Sequence, residues 1–147
     1  MANNNYWIGK EARAKRAAEW TTKNTREHSE EIRRSVANAK IYDDEDGRKR
    51  VFMPGAPISA PVLRLLAEDS VTALCNCKAK HPSQKVAVLN FASYKNPGGM
   101  FLKGSRAQEE CLCHESFLYN VLCEFEEEYY SQNRKTLRRA MYTNRAI

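Results

Sequence analysis

Two adjacent carboxylates, Glu109-Glu110, follow a glycine pair at a short, fixed distance. The loop reads Gly98-Gly99-Met100, then the seven residues 101–107, then Gln108-Glu109-Glu110. Glycines let backbone N–H groups approach a sugar or phosphate closely. Carboxylates beside such a loop suit glycosidic chemistry, in which one acid protonates a leaving oxygen. The same residues also have plain structural readings. Gly-Gly can be an ordinary turn, and Glu-Glu early in a helix suits the helix dipole. On spacing alone both readings stay open.

The other reactive side chains point less clearly to a site. Cys75-Asn76-Cys77 and Cys111-Leu112-Cys113, with His114 adjacent, invite a zinc reading. Structural zinc ligands are usually spaced C-x₂₋₄-C, whereas here the spacing is C-x-C. Both pairs fall in predicted helices, where residues i and i+2 do not share a face. The expectation is no metal, and buried free thiols. The five cysteines are an odd number and no secretion signal precedes them, which favours reduced thiols. His114 lies one helical turn after Glu110 and reads as half of a surface Glu–His pair rather than a catalytic dyad. His28 and His81 read as exposed.

The elements that must position these groups can be read in outline. Residues 6–40 are helical in pattern, rich in Ala, Lys, Arg and Glu, with Tyr6, Trp7, Ile8, Trp20, Ile32 and Val36 as apolar anchors. Ser29 is a candidate cap for a second segment, 30–39. Asp46-Gly47 and Pro54, Gly55, Pro57 and Pro61 mark a connection, with a short strand at 51–53. Residues 62–67 suit a strand, and Asp69 or Ser70 can cap a helix running to about Lys80. Residues 85–91 form the clearest strand pattern, a short apolar run of the kind buried on both faces. Strand, helix, strand in that order argues a parallel βαβ unit, with its ligand at the C-terminal ends of the strands. Ser105 and Gln108 have capping-box spacing. A helix from there carries the apolar stripe Ala107, Cys111, Leu118, Leu122, Phe125, Tyr129. Residues 141–147 read as the start of another strand.

The run from Val86 to Tyr119 resembles the signature of the microbial-type poly(ADP-ribose) glycohydrolases. That family shows a triple-glycine loop followed six to eight residues later by Gln-Glu-Glu. Asn90-Phe91-Ala92-Ser93, Asn96-Pro97, Leu112-Cys113 and Leu118-Tyr119 are similar to the family as well. The resemblance implies a macrodomain-like, three-layer α/β/α fold that binds ADP-ribose. Residues 1–50 would be an N-terminal helical extension, and 51–147 the N-terminal part of the catalytic domain. The chain would be truncated at its C-terminus, lacking further strands and a second phosphate loop, and a second chain would be a candidate to complete the sheet. Glu110 matches the catalytic acid and Glu109 the glutamate that orients the substrate ribose. Asn96 matches the asparagine near the scissile ribose, and Gly98 and Gly99 would wrap the diphosphate and ribose. Asn90 and Gln108 complete the expected binding set, Gln108 being at least partly a helix cap. No cofactor is implied. Met100 replaces the third glycine, with the expectation that its side chain obstructs the ligand or forces a different backbone.

Composition bounds these readings. The chain has 147 residues, enough for one domain. A mean hydropathy of −0.69 and 29% charged residues argue against a membrane protein. The N-terminus has no apolar core for a signal peptide, so the expected location is the cytoplasm. The net charge of +6 favours anionic partners, yet acidic and basic groups alternate along the chain as on solvated faces. The resemblance makes hydrolysis of poly(ADP-ribose), or removal of ADP-ribose from modified proteins, the leading expectation. A catalytically dead ADP-ribose binder comes second, and a basic nucleic-acid-binding or interaction module last.

Overall fold

Helix α1 (Lys10–Glu27) opens the computed structural model, which describes residues 9–43, 62–136 and 145–147. Glu11 in its first turn and Arg26 in its last complement the helix dipole. Its three threonines are satisfied internally. The hydroxyls of Thr21, Thr22 and Thr25 donate to the carbonyls of Ala17, Ala18 and Thr21 at 2.9, 3.1 and 3.0 Å. Helix α2 (Ser29–Asn38) begins after a break at the single residue His28. His28, not Ser29, takes the cap position, and no side chain caps this helix. The His28 ring is half-buried, 5.9 Å from that of Phe117, rather than exposed.

Helix α3 (Ser70–Lys80) starts where its cap places it. The Asp69 carboxylate accepts the N–H groups of Val71 and Thr72, both at 3.0 Å, and the Thr72 hydroxyl at 2.7 Å. The bond from the Thr72 hydroxyl is the main reason its pKa lies below the usual aspartate value. Cys75 and Cys77 lie on this helix but are exposed, not buried thiols.

The expected long helix after residue 105 is instead a chain of short pieces. A 3-10 turn (Phe101–Lys103) precedes α4 (Gln108–His114), α5 (Leu118–Cys123), a π-helical turn (Glu126–Ser131) and α6 (Gln132–Thr136). Ser116 accounts for the first break. Its hydroxyl donates to the Leu112 carbonyl at 2.7 Å and accepts the Leu118 N–H at 3.2 Å. Its own carbonyl receives the Trp20 indole N–H at 3.0 Å and the Asn24 amide at 3.3 Å from α1. That carbonyl thus points across to α1 instead of continuing the helical ladder.

The α/β expectation does not hold. Among the described residues there is no strand and no sheet, so the fold is not a three-layer α/β/α macrodomain. A single antiparallel bridge joins Tyr42 to Ala146. Residues 62–67 and 85–91 carry the apolar runs that read as strands, but nothing described pairs with them. A strand needs a neighbour to accept its N–H groups. Leu65 is fully exposed, and Leu89 and Phe91 are 74% and 71% exposed, so the run is not buried on two faces. The anchors at 6–8, the turn at 46–47, the strand at 51–53 and the tail at 141–144 lie outside the described residues. Among the described residues no helix is long and apolar enough to cross a membrane.

Two small cores hold the helices. In one, Leu122, Phe125, Tyr129 and Tyr130 pack with Val36, Ala39 and Ile41 from α2 and the residues after it. In the other, Ala17 of α1 meets Phe101 and Cys113, flanked by Trp20 and Tyr119. Leu118 packs against both clusters. Full burial of a residue such as Phe101 contributes about 1.5–3 kcal/mol.

The start of α1 is pinned to the end of the glycine loop. Arg13 Nε donates to the Gly104 carbonyl at 2.7 Å. Gly104 has φ +73°, and a Cβ there would overlap the Lys10 carbonyl oxygen. Gly104→Ala should therefore destabilise the chain by at least about 2 kcal/mol, read as a lower urea midpoint at unchanged slope.

Candidate functional site

The loop of residues 92–104 is a run of tight turns. The Asn96 carbonyl accepts the Gly99 N–H at 3.0 Å, and the Gly98 carbonyl accepts that of Phe101 at 3.1 Å. Gly98 and Gly99 both have φ +62°, the left-handed region that side chains disfavour. Both also sit against side chains of the following helices. A Cβ at Gly98 would lie 2.8 Å from the Tyr119 ring. One at Gly99 would lie 2.5 Å from Glu110 Oε1 and 3.2 Å from Glu109 Oε2. The glycine pair therefore serves a double purpose. It makes the turn, and it lets the backbone touch the carboxylates.

Helix α4 delivers those carboxylates in its first turn, both almost fully buried: Glu109 is 3% exposed and Glu110 5%. Their bonding differs. Glu109 Oε1 accepts the Asn90 side-chain amide at 3.1 Å, and Oε2 accepts the Ser93 N–H at 2.8 Å. Glu110 Oε1 accepts the Met100 N–H at 2.9 Å. Its Oε2 is buried with no hydrogen-bond partner, as is Asn90 Oδ1. Burial pushes the Glu109 pKa above the ordinary glutamate value, and the neighbouring Glu110 charge adds to that. The bonds from Ser93 and Asn90 act in the opposite direction.

The expected binding residues are placed unequally. Asn90, Gly98, Gly99, Glu109 and Glu110 come together around the loop. Asn96 enters only through its main chain, its N–H donating to Ser93 Oγ at 3.2 Å, and the residue is exposed. Gln108 is not a cap, because Ala107 holds the cap position. Its side chain instead ties three segments together. Nε2 donates to the Leu89 carbonyl at 2.8 Å and to Ser70 Oγ at 3.2 Å, and Oε1 accepts the Phe91 N–H at 2.8 Å. Met100 adopts φ −109°, which any residue tolerates, and its side chain is partly exposed. The missing third glycine forces no unusual backbone here.

Several residues were not singled out from the sequence. Ser93 receives the loop on its hydroxyl, which accepts the N–H groups of Lys95 and Asn96 at 3.4 and 3.2 Å. Asn133, fully buried, donates its amide to the Tyr94 carbonyl at 3.1 Å. Arg134 donates to the Lys95 carbonyl at 2.6 Å and pairs with Glu126. The signal for Asn133 was present: it stands four residues after Tyr129, where the apolar stripe would place its next core residue. His114 is 6% exposed, not a surface residue, and both its ring nitrogens lack partners. Burial lowers its pKa first, then the charges of Arg16 and Arg13, against an opposing pull from Glu110.

Cys113 is buried, and burial raises its thiol pKa far above the reactive range. Cys111 and Cys123 are half-buried. Among the described residues no three His, Cys, Asp or Glu side chains are grouped to hold a metal ion. A cavity of about 480 Å³ between α1, α2 and α5, lined by Thr25, Ile32, Tyr119 and Cys123 among others, includes neither carboxylate.

What the arrangement offers is a buried pair of carboxylates under a glycine turn, one with a hydrogen bond on each oxygen and one with an unpaired oxygen. Residues 10–147 match the family model of the microbial-type PARG catalytic domain. No curated protein sequence and no solved structure matches the chain. A match over nearly the whole chain places it in a family: the protein belongs to the microbial-type poly(ADP-ribose) glycohydrolases, with a glycohydrolase role of that general kind.

Proposed function

We propose that the chain hydrolyses the ribose–ribose O-glycosidic bonds of poly(ADP-ribose), with Glu110 as the acid and base. The observation that carries this reading is the asymmetry of the pair. Glu109 has both oxygens engaged, whereas Glu110 keeps Oε2 unpaired while Met100 holds Oε1. A buried carboxyl oxygen with no protein partner is available to a ligand atom. Protonated Glu110 gives its proton to the leaving ribose oxygen as the C1″–O bond to the anomeric carbon breaks. Water then attacks the oxocarbenium-like C1″, and its proton returns to the Glu110 carboxylate. Glu109, fixed by Ser93 and Asn90, has lone pairs left on both oxygens to orient ribose hydroxyls. Gly98 and Gly99 let the loop lie close to the ligand, and the exposed Asn96 side chain meets the ribose. The same chemistry removes ADP-ribose from modified proteins.

Three experiments test this. Glu110→Gln keeps an acceptor for the Met100 N–H but no ionisable proton. It should lower the rate of ADP-ribose release from poly(ADP-ribose) by about 10²–10⁴-fold, followed by chromatography, while calorimetric titration shows ADP-ribose still bound. A wild-type rate in this variant overturns the assignment. Gly99→Ala forces a side chain into the left-handed region and against Glu110 Oε1. It should lower stability by about 1–3 kcal/mol and reduce activity at least as severely as Glu110→Gln.

The third concerns Glu109. Its folded pKa is raised, so its stabilising contribution is fully present below the ordinary value of 4.5 and is lost as pH rises through the folded value. Glu109→Gln has no such loss. Relative to wild type, its melting temperature should be higher at about pH 7 than at about pH 4, measured by calorimetry at both.

A further inference from the structure

The hydrolytic reading makes no use of His114, yet this residue is as buried as the carboxylates. It lies one turn after Glu110 on α4, and residues at this spacing share a helix face. The Phe101 ring closes over it edge-on, with centroids 4.7 Å apart. Both its ring nitrogens and Glu110 Oε2 are buried polar atoms without a hydrogen-bond partner. Such atoms rarely coexist on one face unless something connects them. A water needs two or more polar partners, and these groups supply them.

We propose that His114 is a positioning residue for Glu110: its neutral imidazole, through one buried water, hydrogen-bonds Glu110 Oε2 and sets which oxygen of that carboxyl carries the proton. The charges around it are consistent with a neutral ring. Arg13 and Arg16 of α1 disfavour a second positive charge, and burial acts in the same direction; Glu110 alone opposes them. A neutral imidazole keeps one N–H donor and one acceptor nitrogen, so it can serve either protonation state of Glu110 across the water. This role rests on the assignment of Glu110 as the acid, but the juxtaposition can be tested without turnover.

The first test uses the intact chain labelled with ¹⁵N-histidine. Its imidazole nitrogen resonances are followed by NMR in wild type and in Glu110→Gln. His114 should titrate below 6.5, and its signals should move in the variant. Unmoved signals overturn the proposal whether or not the chain is active. The second test compares His114→Gln, which keeps a donor and an acceptor, with His114→Phe, which keeps only the volume. The Gln variant should retain kcat within about threefold. The Phe variant should lose about tenfold or more in kcat at unchanged KM, with a shifted limb in its pH profile. A Phe variant with wild-type kcat and pH profile overturns the role. If wild type binds ADP-ribose without hydrolysing it, the hydrolytic reading fails on its own, and the NMR comparison still decides whether His114 and Glu110 are coupled.

Discussion

The backbone N–H groups of Ser93 and Met100 each end on a buried carboxylate, and the shape of the site depends on those two bonds. Placing two neighbouring carboxyl groups out of water is unfavourable unless hydrogen bonds replace their hydration. The glycine loop supplies that replacement, and in return the carboxylates hold the loop. Neither half has a reason to keep its form without the other. This reciprocity explains why Gly99 tolerates no side chain and why the turn lies flat against the start of α4. It also leaves one oxygen of Glu110 over, and that surplus is what makes the arrangement chemically interesting rather than merely stable.

The rest of the structure braces this pair from three directions. Gln108 binds the chain at Leu89 and Phe91 and reaches the start of α3. Asn133 and Arg134 come from the far end, holding the carbonyls of Tyr94 and Lys95. From the other side, α1 pins Gly104 and Ser116. Most of these braces end on main-chain atoms. Met100, whose backbone is in a region open to any residue, therefore fits where the family has a glycine, unlike Gly98, Gly99 and Gly104.

The grouping of the candidate residues was more legible in the sequence than the fold was. Spacing alone left Gly98, Gly99, Glu109 and Glu110 open, the resemblance to the family singled them out as candidates, and the structure sets Gly99 against both carboxylates. The cap at Asp69 was legible because a side-chain oxygen acting over two or three residues is a local event. The strands at 62–67 and 85–91 were misread because an apolar run shows only that a segment favours burial. Whether a partner strand stands beside it is a non-local fact. Gln108 was misread for a related reason: its spacing from Ser105 matches a capping box, but bonds to Leu89 and Phe91 compete for the same amide. Ser116 could not be foreseen as a helix breaker, since its effect depends on Trp20 and Asn24, which are distant in sequence.

That remoteness has a consequence for how the molecule assembles. Arg13 meets Gly104 across 91 positions, Trp20 meets Ser116 across 96, and Asn120 meets Thr21 across 99. Helices of this kind form rapidly by themselves, yet here α1 finds these docking partners only across more than ninety positions of chain. A fold built from helices normally ranks among the quick folders because its contacts are local. Here several of the bonds that dock α1 are long-range, and each closes a loop whose entropy must be lost before the contact repays it. The glycine turn and its carboxylates would then acquire their final geometry late, as the two ends of the described chain close around them.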